Sequence, residues 1–548
     1  MSFMRWSSLR LRAIGGACAI AALAVAVSAI ASAATRAHVE KAAAAAVACS
    51  PGTAVTVSDG PVCGVTVNGI NEWLGIPYAA PPVGALRWQP PLPPASWTNP
   101  LQATQFASEC AQYFPPFPSG GSEDCLYLNV WRPADNSTNL PVLVHIHGGG
   151  FVIGSGNGDN TLLASTGHEV IVSMNYRLGI FGFLADKSLG PNSGDYGLQD
   201  QQFALRWVQR NIGQFGGDAH NVTIYGESAG GSSVCDQIAS PTAAGLFERG
   251  ISVSGEYNTL LGAPTPLETQ DCKSALPTKA QAFAAGKNFA AAVGCGKGTA
   301  DVASCLRGIS TTTAETTAGQ GYQNGGQGTV APTINGSTLT MTLRQALARG
   351  QANRVDVIAG TDRDEDLVGT ATTAAQYTSL IDTQYGAFAS QVLARYPLNH
   401  FDSPGIAWRT VAADSDTVCP ALTTAQDLAQ RMPVREYEID DNDLPPYTAA
   451  GNGAIAAGAS HVGAWYLTPV TPALDANQQV LQNQEVAFVT AFARTANPNT
   501  TGVPSWPSYN SGEVMSLQPA GDSELVTTAQ MAAEHNCAFW DRVARHAP

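Results

Sequence analysis

Two short stretches of this 548-residue chain carry residue types that do chemistry. The first is Gly226-Glu227-Ser228-Ala229-Gly230. It follows a β-branched apolar run, Asn221-Val222-Thr223-Ile224-Tyr225, and leads into Gly230-Gly231-Ser232-Ser233-Val234, which opens a helix. A serine flanked by glycines at i−2 and i+2, at a strand-to-helix corner, is the pattern of a nucleophile elbow. The turn is so sharp that side chains at those two positions collide with neighbouring backbone, and glycine removes them. The second stretch is Pro141-Val142-Leu143-Val144-His145-Ile146-His147-Gly148-Gly149-Gly150-Phe151, a buried strand running into three glycines. Bare backbone N–H groups in such a loop can approach the negative oxygen that develops during acyl transfer. A phosphate cradle is the rival reading, but there is no Gly-Lys-Ser/Thr ending and no Gly-x-Gly-x-x-Gly.

A serine hydroxyl is a poor nucleophile at neutral pH and needs a base, which in turn needs an orienting acid. With an elbow of this kind the chain order is nucleophile, acid, histidine. Four of the nine histidines follow Ser228: His400, His461, His535 and His546. His535 and His546 fall in a C-terminal helical tail and read as packing or surface groups. His400 lies between helical stretches, in Pro397-Leu398-Asn399-His400. His461 sits in Gly458-Ala459-Ser460-His461-Val462-Gly463, a small-residue loop downstream of an apolar strand, where active-site groups of parallel-sheet folds gather. The acid should follow the strand at 354–360, where Thr361-Asp362-Arg363-Asp364-Glu365-Asp366 offers four carboxylates among which residue chemistry alone does not choose.

The elements that must hold these groups read as alternating strands and helices. Continuous apolar runs at 141–147, 169–174, 221–226, 250–254, 354–360 and 433–439 suit strands covered on both faces. Helical patterns between them imply parallel βαβ crossings and an α/β fold. Phe203, Ala204, Trp207, Val208 and Ile212 recur at helical spacing over 200–215, with Trp207 in the core and Asp200 near the helix start. Further helices are expected over 476–496 and 527–546.

Almost end to end, the chain resembles the type B carboxylesterase family, which includes acetylcholinesterase and many bacterial esterases. The resemblance rests on Gly75-Ile76-Pro77-Tyr78-Ala79, Pro81-Pro82-Val83-Gly84, Leu86-Arg87 and Ser122-Glu123-Asp124-Cys125-Leu126-Tyr127-Leu128-Asn129-Val130. It continues through the glycine loop, Asn175-Tyr176-Arg177-Leu178-Gly179, Phe181-Gly182-Phe183-Leu184, Gly197-Leu198-Gln199-Asp200-Gln201 and Phe215-Gly216-Gly217-Asp218 to the elbow. It covers residues 50 to 540 or so. What it implies is an α/β-hydrolase fold: a mostly parallel sheet flanked by helices, with insertions such as 255–340 forming the pocket walls. It implies hydrolysis of a small-molecule carboxylic ester through an acyl-enzyme intermediate, with lipase, amidase or lactonase action on the same residues, or a non-catalytic binding module, as alternatives. The family's histidine loop matches His461. Its Asp-Glu-Gly matches Asp364-Glu365 with Asp366 in place of the glycine, which picks Glu365 as the acid, with Asp364 or Asp366 as alternatives. Gly149, Gly150 and Ala229 take the oxyanion-hole positions, and Glu227 is the residue usual beside the nucleophile. Where the family often has a glutamate three residues after the histidine, this chain has Ala464. The resemblance also implies disulfides Cys110–Cys125, Cys295–Cys305 and Cys419–Cys537, leaving Cys49–Cys63 and Cys235–Cys272 as the remaining pairs. Arg87 with Glu123 and Arg177 with Asp200 are expected as structural ion pairs. Phe151, Trp465 and Tyr466 are candidates for the pocket lining or the core.

Charge, the N-terminus and the cysteine count bound the partners and the compartment. Lys and Arg number 28 against 43 Asp and Glu, a formal net charge of −15, which disfavours nucleic acid and anionic membranes as partners. Arg5, Arg10 and Arg12 precede an apolar stretch ending in Ala31-Ser32-Ala33, the layout of a cleaved signal at 1–33, with an uncleaved anchor as the rival reading. An alanine-rich leader over 34–48 then precedes a single domain at 49–548. Eleven cysteines become ten once Cys18 is removed with the signal, an even number suited to an oxidising space. No Cys-x-x-Cys or histidine pair suggests a metal, and a serine mechanism requires no cofactor. Asn136, Asn221, Asn335 and Asn499 head glycosylation sequons.

Overall fold

Strands form where β-branched and apolar residues run without interruption, and among the described residues they assemble into two sheets. The structure is a computed structural model that describes residues 49–113, 119–256, 272, 276–323, 331–365, 371–441, 467 and 473–546. In chain order the strands are β1 (Ala54–Val57), β2 (Gly60–Cys63), β3 (Val65–Val67), β4 (Ile70–Pro77), β5 (Leu101–Gln102), β6 (Tyr127–Pro133) and β7 (Leu140–Ile146). They continue with β8 (Val170–Met174), β9 (Gly217–Glu227), β10 (Arg249–Val253), β11 (Asp356–Asp362), β12 (Val434–Ile439), β13 (Glu513–Leu517) and β14 (Glu524–Thr527). A small sheet joins β1, β2 and β5. The main one has eleven strands in the order β14-β13-β12-β11-β10-β9-β7-β8-β6-β4-β3. Its centre, from β8 to β13, is parallel, and antiparallel strands finish both ends.

The central strands are apolar along their whole length because each buries both faces. Val142 and Val144 of β7 point with Val172, Ile224 and Val357 into one core, beside Leu205 and Trp207 of helix Tyr196–Asn211 and Val234 and Ile238 of helix Ala229–Ala239. Leu143 points the other way with Ile171, Tyr225 and Ile358, against Val486, Val489 and Phe492 of helix Ala476–Thr495. Each fully buried side chain of this size stabilises the fold by about 1.5–3 kcal/mol. The six expected strands are all present within four residues of their expected ends, and Trp207 is fully buried, its ring tilted at 44° to that of Phe215.

Two expectations need correction. The helix expected over 200–215 begins earlier, at Tyr196 behind Asp195 in the left-handed region, and passes into a 3-10 turn at Ile212–Phe215. Asp200 therefore sits in the second turn. It does not complement the helix terminus; it grips Arg177, whose Nε and Nη2 lie 2.7 Å from its two oxygens. The tail expected as one helix over 527–546 is two, Thr528–Glu534 and Cys537–His546, broken where Asn536 takes φ 54°. The other expected ion pair, Arg87 with Glu123, forms a two-pronged contact at 2.6 and 2.5 Å.

All five expected disulfides are present: Cys49–Cys63, Cys110–Cys125, Cys235–Cys272, Cys295–Cys305 and Cys419–Cys537. Part of the 255–340 insertion is described, and it includes the helices Lys279–Ala292, Val302–Gly308 and Thr311–Gln323. Of the sequons, Asn136 is exposed, while Asn335 is buried and caps its own turn by accepting from the N–H groups of Ser337 and Thr338.

Candidate active site

Strand β9 ends at Glu227 and helix Ala229–Ala239 begins at the next residue but one, so Ser228 alone makes the corner. It does so at φ 54°, ψ −122°, a conformation that an L residue holds only when its surroundings over-determine it. Those surroundings are close. The Ser228 N–H donates to the Val253 carbonyl of β10 at 2.9 Å, and the Ser228 carbonyl accepts from Ser232 at 2.8 Å. A Cβ on Gly226 would lie 2.5 Å from the Gly230 backbone, and one on Gly230 would lie 2.0 Å from the Ile146 carbonyl. Both flanking glycines are thus required by contact. The serine stands at the N-terminus of an eleven-residue helix, where the dipole favours negative charge.

The glycine loop leaves the adjacent strand β7 and lies directly against this corner. A Cβ on Gly148 would sit 3.2 Å from Ser228 Cβ and 2.8 Å from a carboxyl oxygen of Glu227. Gly149, Gly150 and Phe151 follow at φ 101°, 63° and 60°, three left-handed residues in a row. The Gly149 carbonyl accepts from both Val152 and Ile153 at 3.0 Å, which curls the loop back on itself. Among the described residues, the N–H groups of Gly149 and Gly150 meet no backbone acceptor. Phe151 is fully buried against Phe183 and so belongs to the core.

Behind the loop, His147 stacks on Tyr176 with ring centres 4.3 Å apart, and Tyr176 donates its hydroxyl to the His147 carbonyl at 2.8 Å. Burial holds His147 neutral, its pKa lowered to about 3. Its Nδ1 lies 2.8 Å from the Gly148 carbonyl, which only accepts, so the proton resides on Nδ1.

The acidic stretch after β11 divides by direction. Glu365 is buried, and Thr361 Oγ1 donates to its Oε2 at 3.0 Å. Its charge is felt by Glu227, whose pKa is raised to about 8 by burial first and by Glu365 second. Glu365 therefore lies near Glu227, the chain neighbour of Ser228. Asp364 faces elsewhere: burial raises its pKa, while Arg363 and His535 oppose the rise. Asp362, at the end of β11, is buried. Asp366, His461, Ala464, Trp465 and Tyr466 lie outside the described residues. Of the other histidines, His400 is exposed in a 3-10 turn. His535 is buried between Asp414 and Glu438, so the surface alternative expected for it is excluded.

Sequence reasoning missed Gln112, whose amide binds the backbone of Gly154 at the end of the glycine loop. Nothing local marks it, because the partners are 42 positions apart. Metal binding needs several ligand atoms held close together. The one described cluster of potential ligands, Cys235, Glu256 and Cys272, uses its two sulfurs in a disulfide.

The geometry agrees with comparisons to known proteins. The family model described as the carboxylesterase family matches residues 51–540. Para-nitrobenzyl esterase of Bacillus subtilis is 34% identical over 487 residues, which cover 83% of this chain and 92% of that protein. Human cocaine esterase is 30% identical, with 86% and 87% covered, and acetylcholinesterase of Bungarus fasciatus is 29% identical, with 86% and 82% covered. A solved structure of PNB esterase superposes with a TM-score of 0.71 at 29% identity, covering 88% of this chain and 99% of the other. An elbow serine, an apposed glycine loop and a match over nearly the whole chain converge: this protein belongs to the carboxylesterase family, and it is a carboxylic-ester hydrolase with the α/β-hydrolase fold.

Proposed function

We propose that the protein is a secreted serine esterase whose nucleophile is Ser228, whose base is His461 and whose acid is Glu365. Ser228 attacks the ester carbonyl while His461 takes its proton and then passes it to the leaving alcohol. Glu365 fixes the imidazole tautomer and offsets its positive charge. The N–H groups of Gly149, Gly150 and Ala229 bind the oxyanion, and water releases the acyl group from the serine. The observation that carries this reading is the strained corner at Ser228, pressed against Gly148, with its helix behind it. Strain at one serine, enforced by two glycines that contact can accept in no other form, has no packing purpose. Glu365 is supported over Asp364 by its coupling to Glu227, the nucleophile's neighbour.

The substrate class is a small carboxylic ester; one relative is named for para-nitrobenzyl esters. Turnover of p-nitrophenyl esters of increasing acyl length by the parent and by Ser228→Ala tests the mechanism. Ser228→Ala should lose about 10⁵-fold or more in kcat. Equal turnover by the two proteins removes the serine mechanism, and undiminished activity on long acyl chains turns the reading toward a lipase. Secretion is supported by the basic and apolar N-terminal sequence and by five disulfides, which persist in oxidising compartments. Protein recovered from the medium should begin near Ala34, ahead of a single domain over 49–548; a full-length membrane-bound product contradicts cleavage.

A further inference from the structure

The glycine loop holds three consecutive left-handed residues, Gly149, Gly150 and Phe151, at the point where two of its N–H groups must face a reacting oxygen. Such a backbone needs fixing from outside. The entry is fixed by β7 and the exit by a polar cluster: Gly156 donates to Asn175 Oδ1 at 2.8 Å, and its carbonyl accepts from Ser173 Oγ and Asn129 Nδ2. Between them, Phe151 offers its carbonyl to the Gly179 N–H at 2.6 Å. The closing residue of the loop is Gly154, at φ 110°, where a Cβ would lie 2.5 Å from the Gly148 carbonyl and 2.6 Å from His147 Nδ1. Gly148 and Gly154 therefore form the neck, and the N–H groups of Gly149 and Gly150 lie on the ring that it closes.

One side chain from outside the loop, among the described residues, bonds to the backbone between Gly149 and Gly154: Gln112. The Gly154 N–H donates to Gln112 Oε1 at 2.9 Å, and Gln112 Nε2 donates back to the Gly154 carbonyl at 3.2 Å. The amide thus pairs with both groups of residue 154 as a neighbouring strand would. It also donates to the Cys110 carbonyl at 3.1 Å. Gln112 is itself held. Its own N–H and carbonyl pair with Gly120 at 3.1 and 3.0 Å, inside the loop closed by Cys110–Cys125. A residue paired to Gly120 and two positions from a disulfide therefore grips the neck of the glycine loop.

We infer that Gln112 is a positioning residue for the oxyanion hole, acting through the Gly154 peptide to hold the Gly149 and Gly150 N–H groups at the reacting oxygen. This rests on the serine-esterase reading above. Gln112 touches no reacting atom in this account. It matters most when the carbonyl oxygen gains charge, since binding of the neutral ester asks little of those donors.

The test compares the parent with Gln112→Leu, which removes both bonds at similar size, and Gln112→Glu, which keeps the acceptor for the Gly154 N–H and loses the donor. Each is assayed for kcat and KM on p-nitrophenyl butyrate. Each is also titrated with an alkyl trifluoromethyl ketone, whose serine adduct carries the oxyanion. For Gln112→Leu, kcat should fall about 10- to 100-fold with KM within about 3-fold, and ketone affinity should fall by the factor lost from kcat/KM. Gln112→Glu should lie between the two and stands alone if the leucine variant does not fold. A folded variant with kcat and ketone affinity within about 3-fold of the parent overturns the proposal, as does a loss of kcat that leaves ketone affinity intact. Ser228→Ala runs alongside: full turnover there overturns the serine reading and this proposal with it, whereas a normal Gln112→Leu enzyme overturns this proposal alone.

Discussion

At the scale of single residues, direction matters more than type. Four carboxylates occur between Asp362 and Asp366, and sequence chemistry cannot rank them. The backbone sends Glu365 toward Glu227, beside Ser228, and Asp364 toward Arg363 and His535. Their substitutions should therefore differ in kind. Glu365→Gln keeps shape but forfeits the charge that offsets an imidazolium, and kcat should fall about 10³- to 10⁴-fold, as when the acid of a serine triad is neutralised. Asp364→Asn loosens an ion pair away from the nucleophile, so kcat should stay within about 3-fold while the midpoint of urea unfolding drops. Steady-state kinetics with both variants decide between the two acids. The elbow was legible beforehand because glycines at i−2 and i+2 mark a contact problem in the sequence itself. Gln112 was not, since an amide becomes a peptide clamp only when the fold brings residue 154 to it.

Elements show the same division. Strands were legible because burial on both faces leaves unbroken apolar runs such as Val142 to Ile146. The C-terminal break at Asn536 was not legible: asparagine visits the left-handed region as a single residue, and nothing in the flanking pattern changes period. That break turns His535 into the core. Its Nδ1 lies 2.5 Å from Asp414 Oδ1 and its Nε2 lies 2.8 Å from Glu438 Oε1. Asp414 starts a π-helical turn running to Val418 and also accepts from Tyr396 at 2.6 Å. Burial alone would lower the histidine's pKa, but the two carboxylates outweigh it and hold the pKa well above its usual value. The charged ring ties the tail to β12 and, beside Cys419–Cys537, to the turn at Asp414. Removing it leaves Asp414 without its cation and Glu438 with only the more distant charge of Arg363. His535→Gln should then cost about 3–5 kcal/mol of unfolding free energy, measured by denaturant titration with disulfides intact. The parent's contribution is present below the unfolded histidine value and lost as pH rises through the raised one, so the gap between parent and variant should narrow in alkali.

Across the whole molecule, the buried ionisable groups set a stability profile that net charge does not reveal. Burial raises the pKa of Asp195 and Glu227 to about 8. It also raises Glu169 and Glu436 well above the carboxylate range. The native protein keeps the protons of Asp195 and Glu227 through neutrality, with Glu169 and Glu436 shifted in the same direction, while the unfolded chain sheds such protons near pH 4, so the unfolded state binds fewer protons and stability falls as pH rises from about 4.5 to 8. His145 and His147 act oppositely. Burial lowers them to about 4 and about 3, so below about pH 6.5 the unfolded chain takes up protons that the native protein refuses, and stability falls with acid. The two slopes meet on the acid side of neutrality. The unfolding temperature at fixed scan rate should therefore peak between about pH 4.5 and 6.5 and drop by about 5 °C or more by pH 8. Asp195→Asn isolates one contributor. Asparagine suits the left-handed backbone at that position, φ 56°, and carries no titrating proton. The variant should lose about one proton's worth of slope between pH 5 and 8, gaining on the parent as pH rises. Parallel profiles for the two proteins would show that Asp195 is ionised in the native state at neutral pH, and the assigned burial effect would fail with it.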